Sequence, residues 1–244
     1  MKIIKPYVAI DARELDPAKL LSIERAARVC YKSEGRMGGA PSEKFLLGIL
    51  RAGHESVIEH EKVTVRFTVD RGVSHEIVRH RLGSYSQEST RYCNYSNDKF
   101  GGEITVIEPF FYLNNRELYQ LWERACLEAE KAYLALVASS APDAARGVLP
   151  NSLKTELDVT YNMREWRHFF KLRCAGRAHP QMQQLAIPLL LKFRECLSPL
   201  FDDIDYDREF PPEFYAEIRW ETVNEGDFIR QGDSETGQSG EHLH

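Results

Sequence analysis

Apolar positions recur along this chain with two periods. Val63, Val65, Phe67 and Val69 alternate with Thr64, Arg66 and Thr68, the period of two that marks a half-buried strand beginning at Lys62. Leu153, Thr155, Leu157, Val159 and Tyr161 alternate in the same way with Lys154, Glu156, Asp158 and Thr160. A shorter strand is expected over residues 103–108. The helical period governs most of the rest. Asp16 before Pro17 opens AKLLSIERAARVCYK, and Ser42 caps EKFLLGILRAG, which Gly53 stops. Residues 72–82 read as a helix ended by Gly83. Residues 115–138 read as a long helix burying Leu118, Leu121, Trp122, Ala125 and Tyr133. Pro142 and Asp143 begin a short helical piece through Arg146. Asn162 caps MREWRHFFKLRC, and Pro180 opens a last helix through Cys196, with a kink expected at Pro188. Strands and helices mix without a strict β-α-β repeat, which makes α+β the expected class.

Composition narrows the possibilities. At 43% hydrophobic and 28% charged, the 244 residues can bury a real core, which excludes a chain disordered throughout. The longest apolar run, residues 185–191, is far below the ~20 residues of a membrane helix, and Asp11 interrupts the N-terminus before any leader develops. A soluble cytoplasmic protein is expected. Five separated cysteines without a CxxC argue against a disulfide frame or a thiolate zinc site. From Glu221 onward six acids face Arg230 alone, so the whole net charge of −5 sits in the tail and the body is neutral. The expected organisation is a single domain over residues 1–220 and an acidic, disordered tail over 221–244.

Two segments concentrate cationic groups: Arg79, His80 and Arg81 running into Ser84, Ser86, Gln87, Ser89 and Arg91, and the series Arg164, Arg167, Lys171, Arg173 and Arg177. The guanidinium fork pairs with phosphate and with the imide face of a pyrimidine. A small anionic ligand suits a neutral body better than a long polyanion, although either segment alone could be a solvated face. Two other classes compete. A metal hydrolase could use His54, His60, His75 and His80 with Glu55, Glu59 and Glu76, but no compact ligand spacing is present. A single-stranded nucleic-acid module could stack bases on Tyr85, Tyr92 and Tyr95, but it would want a basic body.

The string RHRLGSYSQES, residues 79–89, resembles the signature of the flavin-dependent thymidylate synthases: Arg-His-Arg, seven residues, then Ser. HESVIEH from His54, ARGVLPNSL from Ala145, NMREW from Asn162 and FFKLRCAGRAHPQM from Phe169 follow the same family's order, and the similarity spans about residues 1–215. The resemblance implies an antiparallel sheet with long helices. It also implies methylation of dUMP to dTMP, with the one-carbon unit from 5,10-methylenetetrahydrofolate, the hydride from FAD reduced by NADPH, and no cysteine nucleophile. Neither a metal nor nucleic acid is expected.

By the same resemblance Arg79, His80 and Arg81 hold FAD, with Arg79 also near the nucleotide. Ser56, Asn162 and Arg164 are further flavin contacts, and His54 lies near flavin and folate. Gln87, Glu88, Ser89, Thr90 and Arg91 wrap the nucleotide together with Arg146, and Gln87 is counted among the flavin contacts as well. Arg173 favours ionisation of the uracil N3, and Arg177 reaches the same ligand. Ser89 is expected to hydrogen-bond rather than attack, since no base stands beside it. His80, between two arginines, is expected to be neutral against the flavin ring or its phosphates. Three positions depart from the commonest family residues: Cys30 and His168 among the flavin contacts, and Glu76 at the uracil, where a carboxylate would repel an ionising imide unless protonated or turned away. The resemblance further implies a homotetramer with shared sites. The segment up to Arg79 and the Arg173 position would come from one chain, the 87–91 loop and Arg146 from another.

Overall fold

The two alternating segments pair with each other at the centre of the sheet. In the computed structural model, which describes residues 1–221, β3 (Lys62–Asp70) and β6 (Lys154–Asn162) run antiparallel in register from Lys62↔Asn162 to Asp70↔Lys154. β4 (Gly83–Gln87) extends the sheet beside β6, and β2 (Tyr7–Asp11) lies beside β3, both antiparallel. β7 (Glu217–Glu221) closes the order β4-β6-β3-β2-β7 by pairing parallel with β2. A separate parallel pair joins β1 (Lys2–Ile4) to β5 (Thr105–Ile107). The sheet is therefore antiparallel apart from its β7 edge. β1, β2 and β7 are too short for a period of two to announce them.

Val63, Val65, Phe67, Leu157, Val159 and Tyr161 are buried on one face of the sheet. The opposite face is polar and partly open, with Thr64 bonded to Thr160 (2.9 Å) and Arg66 to Asp158 (2.7 Å). α1 (Ala18–Tyr31), α2 (Glu43–Arg51), α6 (Met163–Arg173) and α7 (Pro180–Leu197) contribute to the main core on the apolar face. Ser42 accepts the Phe45 N–H and Asn162 the Glu165 N–H, the two caps expected from sequence. α7 continues as helix through Pro188. A second core, with Tyr95, Ile104, Val106, Cys126 and Tyr133, forms under α4 (Arg116–Val137), which α5 (Pro142–Ala145) follows. No helix among the described residues is long and apolar enough to cross a membrane.

Two expectations need correction. The helix expected over 72–82 is α3 (Arg71–Ile77), which stops five residues early, and the polar stretch after it begins as strand β4. The Ile77 carbonyl accepts the His80 N–H (3.1 Å) in a tighter turn together with the Tyr161 hydroxyl (3.2 Å), while His80 turns inward. On α4, Leu118 (44% exposed), Leu121 (57%) and Ala125 face solvent, and Trp122 is half-buried. The buried stripe is Cys126, Glu130 and Tyr133; Glu130 is drawn in because it accepts the Ile104 N–H (3.0 Å) and pairs with the N-terminal ammonium (3.0 Å). An apolar stripe indicates a face, but not which neighbour covers it. Glu221 belongs to β7, and the remainder of the expected tail lies outside the described residues.

Candidate active site

Asn162 sits where β6 becomes α6, and the helix it caps carries Glu165 one turn in and Arg173 at its far end. α3 arrives from β3 and brings Glu76 and His80 against this helix. Four side chains then form one hydrogen-bonded chain. Arg173 donates from Nη1 to Glu76 Oε2 (2.6 Å), from Nη2 to the Glu76 carbonyl (2.9 Å) and from Nε to His80 Nε2 (3.0 Å). His80 Nδ1 lies 3.0 Å from Glu165 Oε1. Arginine has only donors, so His80 Nε2 must accept and Nδ1 must carry the proton, which it donates to Glu165. The imidazole is therefore neutral. Burial, then the charge of Arg173, then His168 push its pKa down to about 4. Burial also raises the Glu165 carboxyl above its ordinary value. The expected neutrality of His80 holds, with desolvation as the leading cause; its side chain is only 2% exposed, and both ring nitrogens are engaged inside the protein.

Beside this chain lies a groove of about 510 Å³ lined by Glu55, Glu59, Leu82, Asn162, Arg164, Glu165, Arg167, His168 and Lys171. It gathers three of the flavin candidates: Asn162, Arg164 and His168. Arg164 reaches Glu59 (2.6 Å) and Glu55 (3.5 Å), and the His168 ring stands 5.5 Å from that of His80. Leu82, 74% exposed, offers an apolar ledge on the groove, and Arg79 and Arg81, close to it in sequence, are exposed. The groove is of mixed charge, with Arg164 and Lys171 paired to Glu55 and Glu59; its carboxamide and apolar ledge suit a planar ring such as a flavin, whose anionic tail would draw those cations from their carboxylates. Arg167 serves the fold rather than a ligand. It is 3% exposed and forks onto Asp203 through two 2.7 Å bonds, holding that carboxyl below its ordinary range.

The other candidates lie apart. Gln87 pairs with Leu157 while Gly83 pairs with Tyr161, so the 87–91 stretch begins about 13 Å along β4 from the His80 end. Gln87 donates to Ser74 Oγ (3.0 Å) and Thr155 Oγ1 (3.2 Å). Glu88 receives Lys154 (2.8 Å) and the Tyr95 hydroxyl (2.9 Å), and Ser89 Oγ accepts the Arg91 N–H (3.3 Å). Thr90 is buried, and the Arg91 guanidinium lies over Tyr92. Arg146 and Arg177 are exposed, on the turn after α5 and beyond α6. Cys30 and Ser56 are exposed, and exposed His54 bonds the Tyr31 hydroxyl through Nδ1 (2.6 Å).

Sequence reasoning missed Glu165 as the partner of His80 and Lys154 as the partner of Glu88. Glu165 reads as an ordinary first-turn acid and Lys154 as the polar side of a strand, so neither carried a signal. The rival readings lose ground. His54, His60 and His75 are exposed and join no cluster; among the described residues the group with metal-ligand spacing is His80, Glu165 and His168, whose ligand atoms lie within 4.8 Å of one another. The Arg173 guanidinium bonded to His80 would repel a cation there. Of the three proposed stacking tyrosines, Tyr95 is buried in the second core and Tyr85 bonds internally to Tyr161 (2.8 Å), leaving only Tyr92 exposed.

Residues 14–197 match the family model described as thymidylate synthase complementing protein. The flavin-dependent thymidylate synthase of Geobacter sulfurreducens is 36% identical over 200 residues, 77% of this chain and 82% of that protein. The enzyme of the same description from Corynebacterium aurimucosum is 34% identical, covering 74% and 78%. Among solved structures, the UMP/dUMP methylase PolB of Streptomyces cacaoi, bound with 5-Br dUMP, superposes with a TM-score of 0.66 over 83% of this chain and 96% of its own. At 20% identity that likeness carries the fold alone.

Proposed function

This chain belongs to the flavin-dependent thymidylate synthase family and is an enzyme of that class, and from that premise we propose that it methylates dUMP to dTMP with 5,10-methylenetetrahydrofolate as one-carbon donor and NADPH as reductant. FAD, when bound, supplies the hydride that completes the methyl group. Asn162, Arg164 and His168 would hold the flavin along the groove, and the exposed Arg79 and Arg81 would serve its phosphates. The observation that carries the reading is the position of Arg173: one guanidinium, 19% exposed, fixed by Glu76 and His80 between α3 and α6.

A uracil imide placed against Arg173 gains most on losing its N3 proton, because the negative charge spreads over O2, N3 and O4 toward the guanidinium. Partial exclusion of water strengthens that stabilisation. The ionised ring is richer in electrons at C5, the atom that must attack the one-carbon unit. Glu76 is turned toward Arg173, so its carboxylate charge is spent on the guanidinium rather than aimed at the imide. Arg91 and Arg146 suit the nucleotide phosphate, with Ser89 and Gln87 as hydrogen-bonding neighbours, and these groups would be supplied by a second copy of the chain. No thiol takes part: burial raises Cys93, Cys126, Cys174 and Cys196, which keeps them protonated, and Cys30 lies exposed toward the end of α1.

The test is direct. Purified protein supplied with FAD, NADPH, methylenetetrahydrofolate and dUMP should form dTMP, separated and quantified by chromatography. Flavin-loaded protein that oxidises NADPH yet yields no dTMP would overturn the reading.

A further inference from the structure

We propose that Glu165 is a positioning residue for Arg173: by accepting the Nδ1 proton of His80 it fixes the imidazole tautomer whose Nε2 holds the guanidinium in place. This inference rests on the proposed role of Arg173 at the nucleotide.

Arg173 has three anchors, and two of them come from Glu76. The Glu76 side chain is 34% exposed and stands where a ligand would disturb it, whereas the His80 side chain is 2% exposed and cannot be displaced from outside. The durable anchor is thus Nε–H to His80 Nε2. It exists in only one of the two neutral tautomers. With the proton on Nε2, two donors would face each other across 3.0 Å, and the guanidinium would have to turn away.

The surroundings choose between the tautomers through a single group. Glu165 Oε1 lies 3.0 Å from Nδ1, and an ionised carboxylate only accepts. Its side chain is 6% exposed, and its own N–H is held by the Asn162 cap (2.9 Å), so the backbone that carries it is fixed. A first-turn carboxylate is also favoured by the helix dipole, and a purely dipolar Glu165 would need no partner. The bond to His80 is what the dipole does not explain. The rings of Phe169 (5.0 Å), His168 (5.5 Å) and Tyr161 (6.1 Å) flank the imidazole and limit its rotation, and the Tyr85 hydroxyl donates to the His80 carbonyl, which holds its backbone.

Glu165→Leu and Glu165→Gln, each alone and combined with Arg173→Ala, test the arrangement in the FAD-loaded protein. Nitrogen-15 NMR of the labelled imidazole should show His80 protonated at Nδ1 in the wild type and in Glu165→Gln, whose amide oxygen still accepts. Glu165→Leu should lose that signature. By calorimetry Glu165→Leu should bind dUMP about tenfold more weakly, the scale of one charge-assisted hydrogen bond, and Glu165→Gln should recover most of this. In the Arg173→Ala background the leucine substitution should change dUMP affinity less than about twofold, because its route runs through the missing arginine. An unchanged His80 tautomer in Glu165→Leu, or a full tenfold loss in the Arg173→Ala background, would overturn the proposal. If the wild type binds no dUMP, the functional reading falls, and the tautomer signature still decides whether Glu165 sets His80.

Discussion

Arg173 meets three acceptors and leaves a fifth of its side chain to solvent, which makes it a held group rather than a waving surface charge. Arg173→Ala should therefore retain FAD, read by the visible flavin spectrum, while dTMP formation falls by at least about tenfold, the equivalent of one lost charge-assisted contact at ~1.5–3 kcal/mol. NADPH oxidation in air should survive better than methylation; equal loss of both would place Arg173 at the cofactor instead. His80 supplies a second expectation. The unfolded chain takes up this proton near pH 6.5, while the folded chain resists until about pH 4. Over that window the unfolded state binds more protons, so stability falls as the pH is lowered. The melting temperature of His80→Gln should drop less steeply between pH 6.5 and 4 than that of the wild type. Glu165, raised by burial, titrates in the opposite sense and remains in both proteins. Parallel slopes would mean that His80 takes up its proton at the same pH in the folded and the unfolded chain.

At the level of elements, β4 lies against β6 only because residue 83 is glycine. A Cβ there would stand 2.3 Å from the Tyr161 ring and 3.0 Å from the Thr160 carbonyl. The Tyr161 ring cannot retreat: it is 1% exposed, packed at a tilt against Trp166 and Phe169, and its hydroxyl bonds Tyr85 and Ile77. Gly83→Ala should cost about 1–3 kcal/mol, the usual penalty for overpacking, seen as a lower denaturation midpoint. It should also loosen the hydroxyl contacts that end α3. A midpoint unchanged within error would show that β4 can shift away. The strand edge and the site are thus linked, since the close approach that Gly83 permits sets Tyr161 and Tyr85 against the carbonyls of Ile77 and His80.

The whole chain leaves its nucleotide candidates in two places. Glu76 and Arg173 converge beside His80, whereas Gln87 to Arg91 lie farther along β4 and Arg146 sits beside the second core. A site completed by a second copy accounts for this separation, and it predicts complementation. Arg91→Ala and Arg173→Ala should each be inactive alone. After the two are unfolded together and reassembled, about a quarter of the sites should draw both intact arginines from different chains, and dTMP formation should return. Mixed oligomers that form without regaining activity would place the nucleotide within one chain.

The sequence by itself determined what local rules control. The period of two along Lys62–Asp70 and Lys154–Asn162, the caps at Ser42 and Asn162 and the span of α4 were legible because each depends on neighbours a few residues away. The order of signature residues was legible too, and with it the family. Tertiary structure decided the rest. Whether Leu118 or Cys126 faces inward depends on which surface meets α4, and the short strands β1, β2 and β7 form only because partners distant in sequence offer them hydrogen bonds. His80, Glu165 and Arg173 illustrate the limit most clearly. A residue pair 85 positions apart has no shared period, and the tautomer that links them exists only once burial has removed water as the competing partner.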